Sequence, residues 1–302
     1  MNPGSIFILG ALSACLCLGA SGKAAAQDLE PRRWTALPAG LNVVGAGYAA
    51  TRGDVFFDPV LLVEDAEVEG HTAGVSFVRT FGIANKSARI DVTVPWHNMR
   101  WSGLLDGVPA TVSRVGMADP WVRLSVILAG APVDGAPTKS SNTVFGAALA
   151  VGLPLGEYLQ EKLLNLGQNR VVIRPQLGVL HTRGKWSYEL TGSTFLYGDN
   201  DDFLVDSKLE QAPLYAVQSH LIRVFDRPGY WAALSAGYAW NGRSTVDGDN
   251  VDDSRRLFLS AVAVGVPVGA KQGLKFSYLR SRSNANTGSD TDSLAIGWSY
   301  RF

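Results

Sequence analysis

Cysteine is almost missing from this chain. The two present, Cys15 and Cys17, both lie near the N-terminus, so no disulfide frame or thiolate zinc site holds the remainder together. Neither sign of charge dominates, with 27 Lys and Arg against 27 Asp and Glu. No Lys/Arg run occurs either, which argues against nucleic acid as a partner. Histidine is scarce: His71, His97, His181 and His220 are the four, none at metal-ligand spacing from another. No Gly-rich phosphate loop precedes a helical pattern, so no nucleotide and no other cofactor is expected. No apolar run reaches the roughly 20 residues of a membrane-spanning helix. A chain of this kind crosses a bilayer only as a closed β-barrel, which pairs every backbone N–H and C=O within the wall.

What the chain has instead is alternation. In its last ten positions Leu294, Ile296, Trp298, Tyr300 and Phe302 interleave with Ser293, Ala295, Gly297, Ser299 and Arg301, large apolar groups on one strand face and small or polar ones on the other. That pattern suits a wall with lipid outside and a polar lumen inside. The spacing Gly297-x-x-Tyr300-x-Phe302 also resembles the C-terminal signal read by the bacterial barrel-assembly machinery, with Ala295 where a polar residue is usual. At the other end, Ile6 to Gly19 is apolar but short, and Ala24-Ala25-Ala26 forms an A-x-A cleavage pattern before Gln27. Residues 1–26 read as a secretory signal that is removed. Leu12-Ser13-Ala14-Cys15 resembles a lipoprotein box and gives the competing reading, an acylated Cys15.

From Leu41 onward, period-two segments of about ten residues recur about twelve times, the even number of single-chain barrels. Clear examples are Ala88-Ile90-Val92-Val94-Trp96, Phe145-Ala147-Leu149-Val151 and Leu234-Ala236-Tyr238-Trp240. The fold expected is all-β, an antiparallel transmembrane barrel over residues 41–302, with 27–40 as a periplasmic segment. Tight turns at Ala84-Asn85-Lys86, Thr182 to Lys185, Asp226 to Gly229 and Gly269 to Gln272 alternate with long polar loops near 51–71, 97–114, 154–168, 198–212, 241–254 and 281–291. Short turns on one rim and long loops on the other place turns and termini in the periplasm and loops outside the cell. The connection 130–142 is longer than this pattern wants.

Some features strain the pattern. Pro120 and Pro175 sit inside expected strands and each removes a ladder hydrogen bond, so a bulge or strand end is expected there. Arg79 and Arg223 fall on the outward face and must lie near an interface. The register of 255–267 is undecided because both faces are apolar. Glu157 to Leu166 has helical spacing of Leu159, Leu163 and Leu166, and a short helix at the rim or in the mouth is expected.

The same alternation sends Arg89, Asp91, Asp119, Arg123, Arg174, Gln176, Glu189, Gln218, His220 and Lys275 into the lumen, where they are candidates for a permeation path. The competing reading is that opposite charges pair across the barrel and plug it. Asp199, Asp201, Asp202 and Asp206, with Asp247, Asp249, Asp252 and Asp253, form acidic loops read as a solvated face toward lipopolysaccharide. Ser219 and His220 are adjacent, so their side chains point to opposite faces and cannot act as a hydrolase pair.

Longer stretches carry a family likeness. They are Glu30-Pro31-Arg32-Arg33-Trp34, Leu37-Pro38-x-Gly40-x-Asn42, Asp58-Pro59, Arg79-Thr80-Phe81, Pro154-x-Gly156-Glu157-Tyr158, Asn165 to Arg170, Asp199 to Phe203, Leu209 to Tyr215 and Gln218-Ser219-His220. Together they resemble a group of bacterial outer-membrane barrels labelled transporters of the phenol-degradation meta pathway. The resemblance implies a barrel in the Gram-negative outer membrane that passes small, often aromatic, compounds. Partners expected are outer-membrane lipid, lipopolysaccharide, the assembly machinery and small hydrophobic or aromatic molecules. The function expected is passive uptake without catalysis. A non-conducting structural barrel and, behind it, a barrel lipase are the alternatives.

Overall fold

The computed structural model describes residues 29–58, 61–131, 141–204 and 206–302. The expected signal 1–26, with Cys15, lies outside these, as do most of the connection 130–142 and the start of the segment 27–40. The main sheet takes β1 (Asn42–Phe56), β2 (Val63–Ile83), β3 (Lys86–Leu105), β4 (Val108–Met117), β5 (Trp121–Ala129), β6 (Ser141–Gly152), β7 (Val172–Arg183) and β8 (Trp186–Tyr197). Two short strands follow, β9 (Asn200–Phe203) and β10 (Ser207–Gln211), then β11 (Leu214–Val224) and β12 (Trp231–Asn241). After β13 (Ser244–Val246) and β14 (Asp249–Asn250) come β15 (Arg255–Pro267), β16 (Gln272–Ser283) and β17 (Gly288–Arg301). All main-sheet pairings are antiparallel, and β2 pairs both β1 and β3, which closes the sheet on itself. β4 and β5 are successive parts of one strand, since β4 lies on Trp96 to Leu105 of β3 and β5 on Ala88 to Thr93. The barrel therefore has twelve strands.

Alternation decides which face goes where. Along β12, Leu234, Ala236, Tyr238 and Trp240 are exposed to the outside while Trp231, Ala233, Ser235, Gly237 and Ala239 are buried toward the inside. The seam runs between β1 and β17 in register from Val43↔Arg301 to Phe56↔Gly288. Trp298, Tyr300 and Phe302 stack in sequence on its outer face, with centroids 6.4 and 6.0 Å apart, as an aromatic girdle does at a membrane interface. The outward register of Arg79 and Arg223 holds. Arg79 bonds Asn42 at the turn rim, and Arg223 lies 4.8 Å over the Trp186 ring beside the turn 225–230. Strand 255–267 resolves with Leu257, Leu259, Ala263 and Gly265 inside.

The two prolines act differently. Pro120 ends the pairing of one strand segment, leaving Ala118, Asp119 and Pro120 between β4 and β5. Pro175 stays in the sheet: the ladder to β8 skips Arg174 and Pro175, then resumes in the same register from Ile173↔Leu196 to Gln176↔Ser193.

Loops 51–71, 97–114 and 281–291 are shorter than the sequence implied, because strands run on past the apolar band. β3 and β4 continue to a two-residue turn at Asp106-Gly107, both at positive φ (51° and 73°), the backbone that closes a tight hairpin. Loops 198–212 and 241–254 contribute a separate small sheet in the order β14-β13-β10-β9. The expected helix at 157–166 does not form; the stretch is turns and bends. Its backbone is satisfied another way. Asn165 accepts from Leu159 N–H (2.8 Å) and donates to the Leu159 and Lys162 carbonyls. Asp119 accepts from Gly156 N–H (3.0 Å) and Gln168 N–H (2.8 Å).

Candidate functional site: a filled lumen

The segment expected in the periplasm is inside the barrel. From Leu41 at the turn rim the chain runs back into the lumen, anchored where Thr80 Oγ1 donates to the Pro38 carbonyl (2.6 Å) and Ser87 Oγ to that of Leu37 (3.0 Å). Trp34 follows, fully buried. Its indole lies on Gly146 and Gly178, which pair across β6 and β7, and a β-carbon on either glycine would overlap the ring. The indole N–H donates to Thr191 Oγ1 at 2.7 Å. A cavity of about 20 Å³ lies beside Arg33, Trp34 and Leu37, roughly room for one water.

Beyond Trp34 the segment meets the charged side chains of the wall. Arg33 donates to Asp91 Oδ2 (3.0 Å) and to Ser125 Oγ, and its N–H donates to Glu189 Oε1 (2.9 Å). The carboxylate of Glu30 takes Arg123 Nη1 at 2.6 and 2.7 Å, with Arg174 Nη1 at 3.9 Å and Arg33 Nε at 3.8 Å. Glu30 N–H donates to Gln218 Oε1 (3.3 Å). Arg32 stacks 5.3 Å from the Trp231 ring, and Leu29 packs by Gly237. These charges are almost wholly removed from water, where breaking a pair leaves an uncompensated ion.

Most sequence-assigned lumen residues are thus brought together. Arg89 reaches Asp91 (3.5 Å), Arg123 also touches Gln176 Oε1 (3.4 Å), and Arg174, Glu189 and Gln218 complete the cluster on β3, β5, β7, β8 and β11. His220 is paired in register with Glu189 and bonds Ser235 Oγ at 2.8 Å, while Ser219 points outward. Lys275 faces the lumen from β16. Asp119 needs correction. It does not join the charged layer, because Pro120 breaks the strand there and turns the carboxylate onto the backbone of loop 153–168. Gly297 faces inward and Tyr300 and Phe302 outward.

The remaining wall is unlike this one. β1, β2, β16 and β17 present Gly45, Gly47, Ala49, Gly74, Ser76, Gly273, Ser277, Ala295, Gly297 and Ser299 to the inside, together with the larger Val43, Val78, Leu279 and Lys275. A β-carbon on Gly297 would meet open space. Toward the loop rim the interior turns apolar. Leu29, Val172, Phe195, Leu214, Leu257 and Leu259 cluster on one side. Val68, Met99 and Trp101 on the other are joined by Leu166 from the loop that folds into the mouth.

Sequence reasoning missed Glu30, Arg33 and Trp34 as lumen residues, together with Gly146, Gly178 and Thr191. No local signal set these glycines apart, since the inward face of β6 is small throughout, with Val144, Ala148, Ala150 and Gly152 beside Gly146.

With this geometry in hand, the chain can be set beside known proteins. The family model described as "Putative MetA-pathway of phenol degradation" matches residues 42–300. The chain belongs to that family. Among solved structures, the COG4313 outer membrane channel from Pseudomonas putida F1 matches with a TM-score of 0.78 at 22% identity, covering 91% of this chain and 100% of that one. The TodX deltaS2S3 mutant monoaromatic hydrocarbon channel matches with a TM-score of 0.50 at 9% identity, covering 97% and 98%. At these identities the likeness is one of fold. No curated protein matches the chain.

Proposed function

We propose that this protein is an outer-membrane channel for passive entry of small hydrophobic or aromatic compounds, held closed by its own segment 29–37. The observation that carries the reading is the contrast inside one barrel: a segment clamped to the charged wall, and beside it a wall of small residues. The apolar clusters at the loop rim supply a first resting place for a hydrophobic solute. The family's description and the hydrocarbon channel among the fold neighbours agree with that solute class. The loops face outward and the turns inward to the periplasm, as the rim asymmetry of such barrels has it.

Energetics favour a displaceable segment. Ordering nine residues costs roughly 9–18 kcal/mol. Burial of Trp34, Leu29 and Leu37 returns about 8–10 kcal/mol, and the charge-assisted contacts of Arg33 with Asp91 and Glu189 and of Glu30 with Arg123 add about 5–9 kcal/mol. The sums nearly cancel, so a modest ligand shifts the balance. No energy source is needed for such a step.

The second reading, a non-conducting barrel, draws on the same ion pairs: Arg33 to Asp91 and Arg123 to Glu30 close the lumen at the charged layer. Planar-bilayer recording separates the two. The chain from Gln27 onward is expected to show brief current steps that lengthen when aromatic compounds are added. A folded, heat-modifiable barrel that stays silent under all of them favours the structural barrel.

A further inference from the structure

The fit of the segment to the wall is that of a ligand to a site. Two chemically distinct groups, four residues apart, are recognised. The indole of Trp34 fills a ring-shaped slot whose floor is Gly146 and Gly178 and whose polar end is Thr191. The carboxylate of Glu30 is held by Arg123 and approached by Arg174, itself stacked 4.5 Å from the Phe195 ring. The slot is built rather than incidental, because any side chain larger than glycine at either floor position excludes a ring. With the segment withdrawn, the wall holds Arg89, Arg123 and Arg174 against Asp91 and Glu189, an excess of cation in a low-dielectric space that favours an incoming anion.

We infer that Trp34 and Glu30 are an internal stand-in for the transported ligand, and that the Gly146/Gly178/Thr191 slot with Arg123 and Arg174 is a binding site for aromatic carboxylates, which open the channel by competing with the segment. The inference rests on the channel reading and narrows its solute to a planar ring bearing an acid group. Competition needs no new conformational device. The ligand brings a ring for the slot and an acid group that the arginines attract, and is not tethered to a chain that must be ordered.

The test labels the barrel with 6-fluorotryptophan, identifies the Trp34 signal by its loss in Trp34→Phe, and titrates in detergent with indole-3-acetate, indole and acetate. Indole-3-acetate should move the Trp34 signal to the position of a solvent-exposed indole. Indole alone should need roughly tenfold more, the factor a charge-assisted contact is worth, and acetate should leave the signal in place. Arg123→Gln should erase the advantage of indole-3-acetate over indole. Gly178→Ala should shift the Trp34 signal before any ligand is added and remove the response. If that variant does not fold, Thr191→Val serves the same end with a weakened response. Indole-3-acetate that leaves the Trp34 signal unmoved, or that acts equally on the slot variants, overturns the inference. Because the signal is read without current, a conducting barrel with an unmoved Trp34 removes the site and keeps the channel. A displaced Trp34 in a barrel that never conducts keeps the site and removes the channel.

Discussion

Two walls of one barrel solve the same packing problem in opposite ways. On β3, β5, β7, β8 and β11 the inward positions carry Arg, Asp, Glu and Gln, and the space before them is filled by residues 29–37 of the chain itself. On β1, β2, β16 and β17 the inward positions are mainly Gly, Ala, Ser and Thr, and a β-carbon added at Gly297 would meet no described atom within 4 Å. Both walls obey the same outside rule of large apolar residues. The difference teaches that a barrel's outward face reports only its solvent, whereas its inward face reports what it holds.

Removing the filling should have the largest effect. Deletion of residues 29–37 leaves every strand pairing intact and is expected to convert brief openings into a long-lived open state in single-channel records. An unchanged closed record would break the comparison. Next comes the clamp. Glu30→Gln leaves Arg123 buried without its partner, a loss of about 3–5 kcal/mol for a buried pair, which carries a nearly balanced equilibrium almost wholly to the open state. The double variant with Arg123→Gln should fall well short of the sum of the two single changes, since the residues act as one unit.

The loop in the mouth is held more lightly. Asp119→Ala removes two acceptors of backbone N–H groups and is expected to cost about 1–3 kcal/mol. Proteolysis at Lys162 in loop 153–168 should speed up while the Trp34 environment stays fixed. The smallest effect belongs to the turn rim, away from both walls. There the Lys185 ammonium, hydrogen-bonded to Asp226, holds that carboxyl below the usual carboxylate range. A depressed carboxylate stabilises above its unfolded pKa and loses that contribution as pH falls through the folded value. The window therefore lies below about pH 4. Between pH 5 and 8, Lys185→Ala should leave the heat-modification midpoint unchanged, since exposed pairs contribute little.

The sequence carried the wall but not its contents. Period-two patterning placed Arg89, Arg123, Arg174 and Glu189 inside because strand geometry is local. Turn residues such as Ala84-Asn85, both at positive φ, mark hairpins for the same reason. The segment 29–37 was read as periplasmic because nothing local distinguishes a tether from a plug. Its partners, from Asp91 to Gln218, are distant in sequence, and the receiving glycines look like ordinary inward small residues. Asp119 was misplaced because alternation was carried through Pro120, where the strand stops. The helix at 157–166 failed because helical spacing of Leu159, Leu163 and Leu166 was outweighed by side-chain acceptors, Asn165 and Asp119, that satisfy the backbone in a turn.

The claim that segment 29–37 covers the charged wall and not the small-residue wall is tested most directly by thiol accessibility. The chain from Gln27 onward has no cysteine, so Ser277→Cys on β16 and Ser125→Cys on β5 each introduce a single thiol. With the full segment present, a charged methanethiosulfonate reagent should react rapidly at position 277 and reduce the current, and react slowly or not at all at position 125, where Arg33 covers the site. Rapid reaction at 125 with protection at 277 would contradict the account.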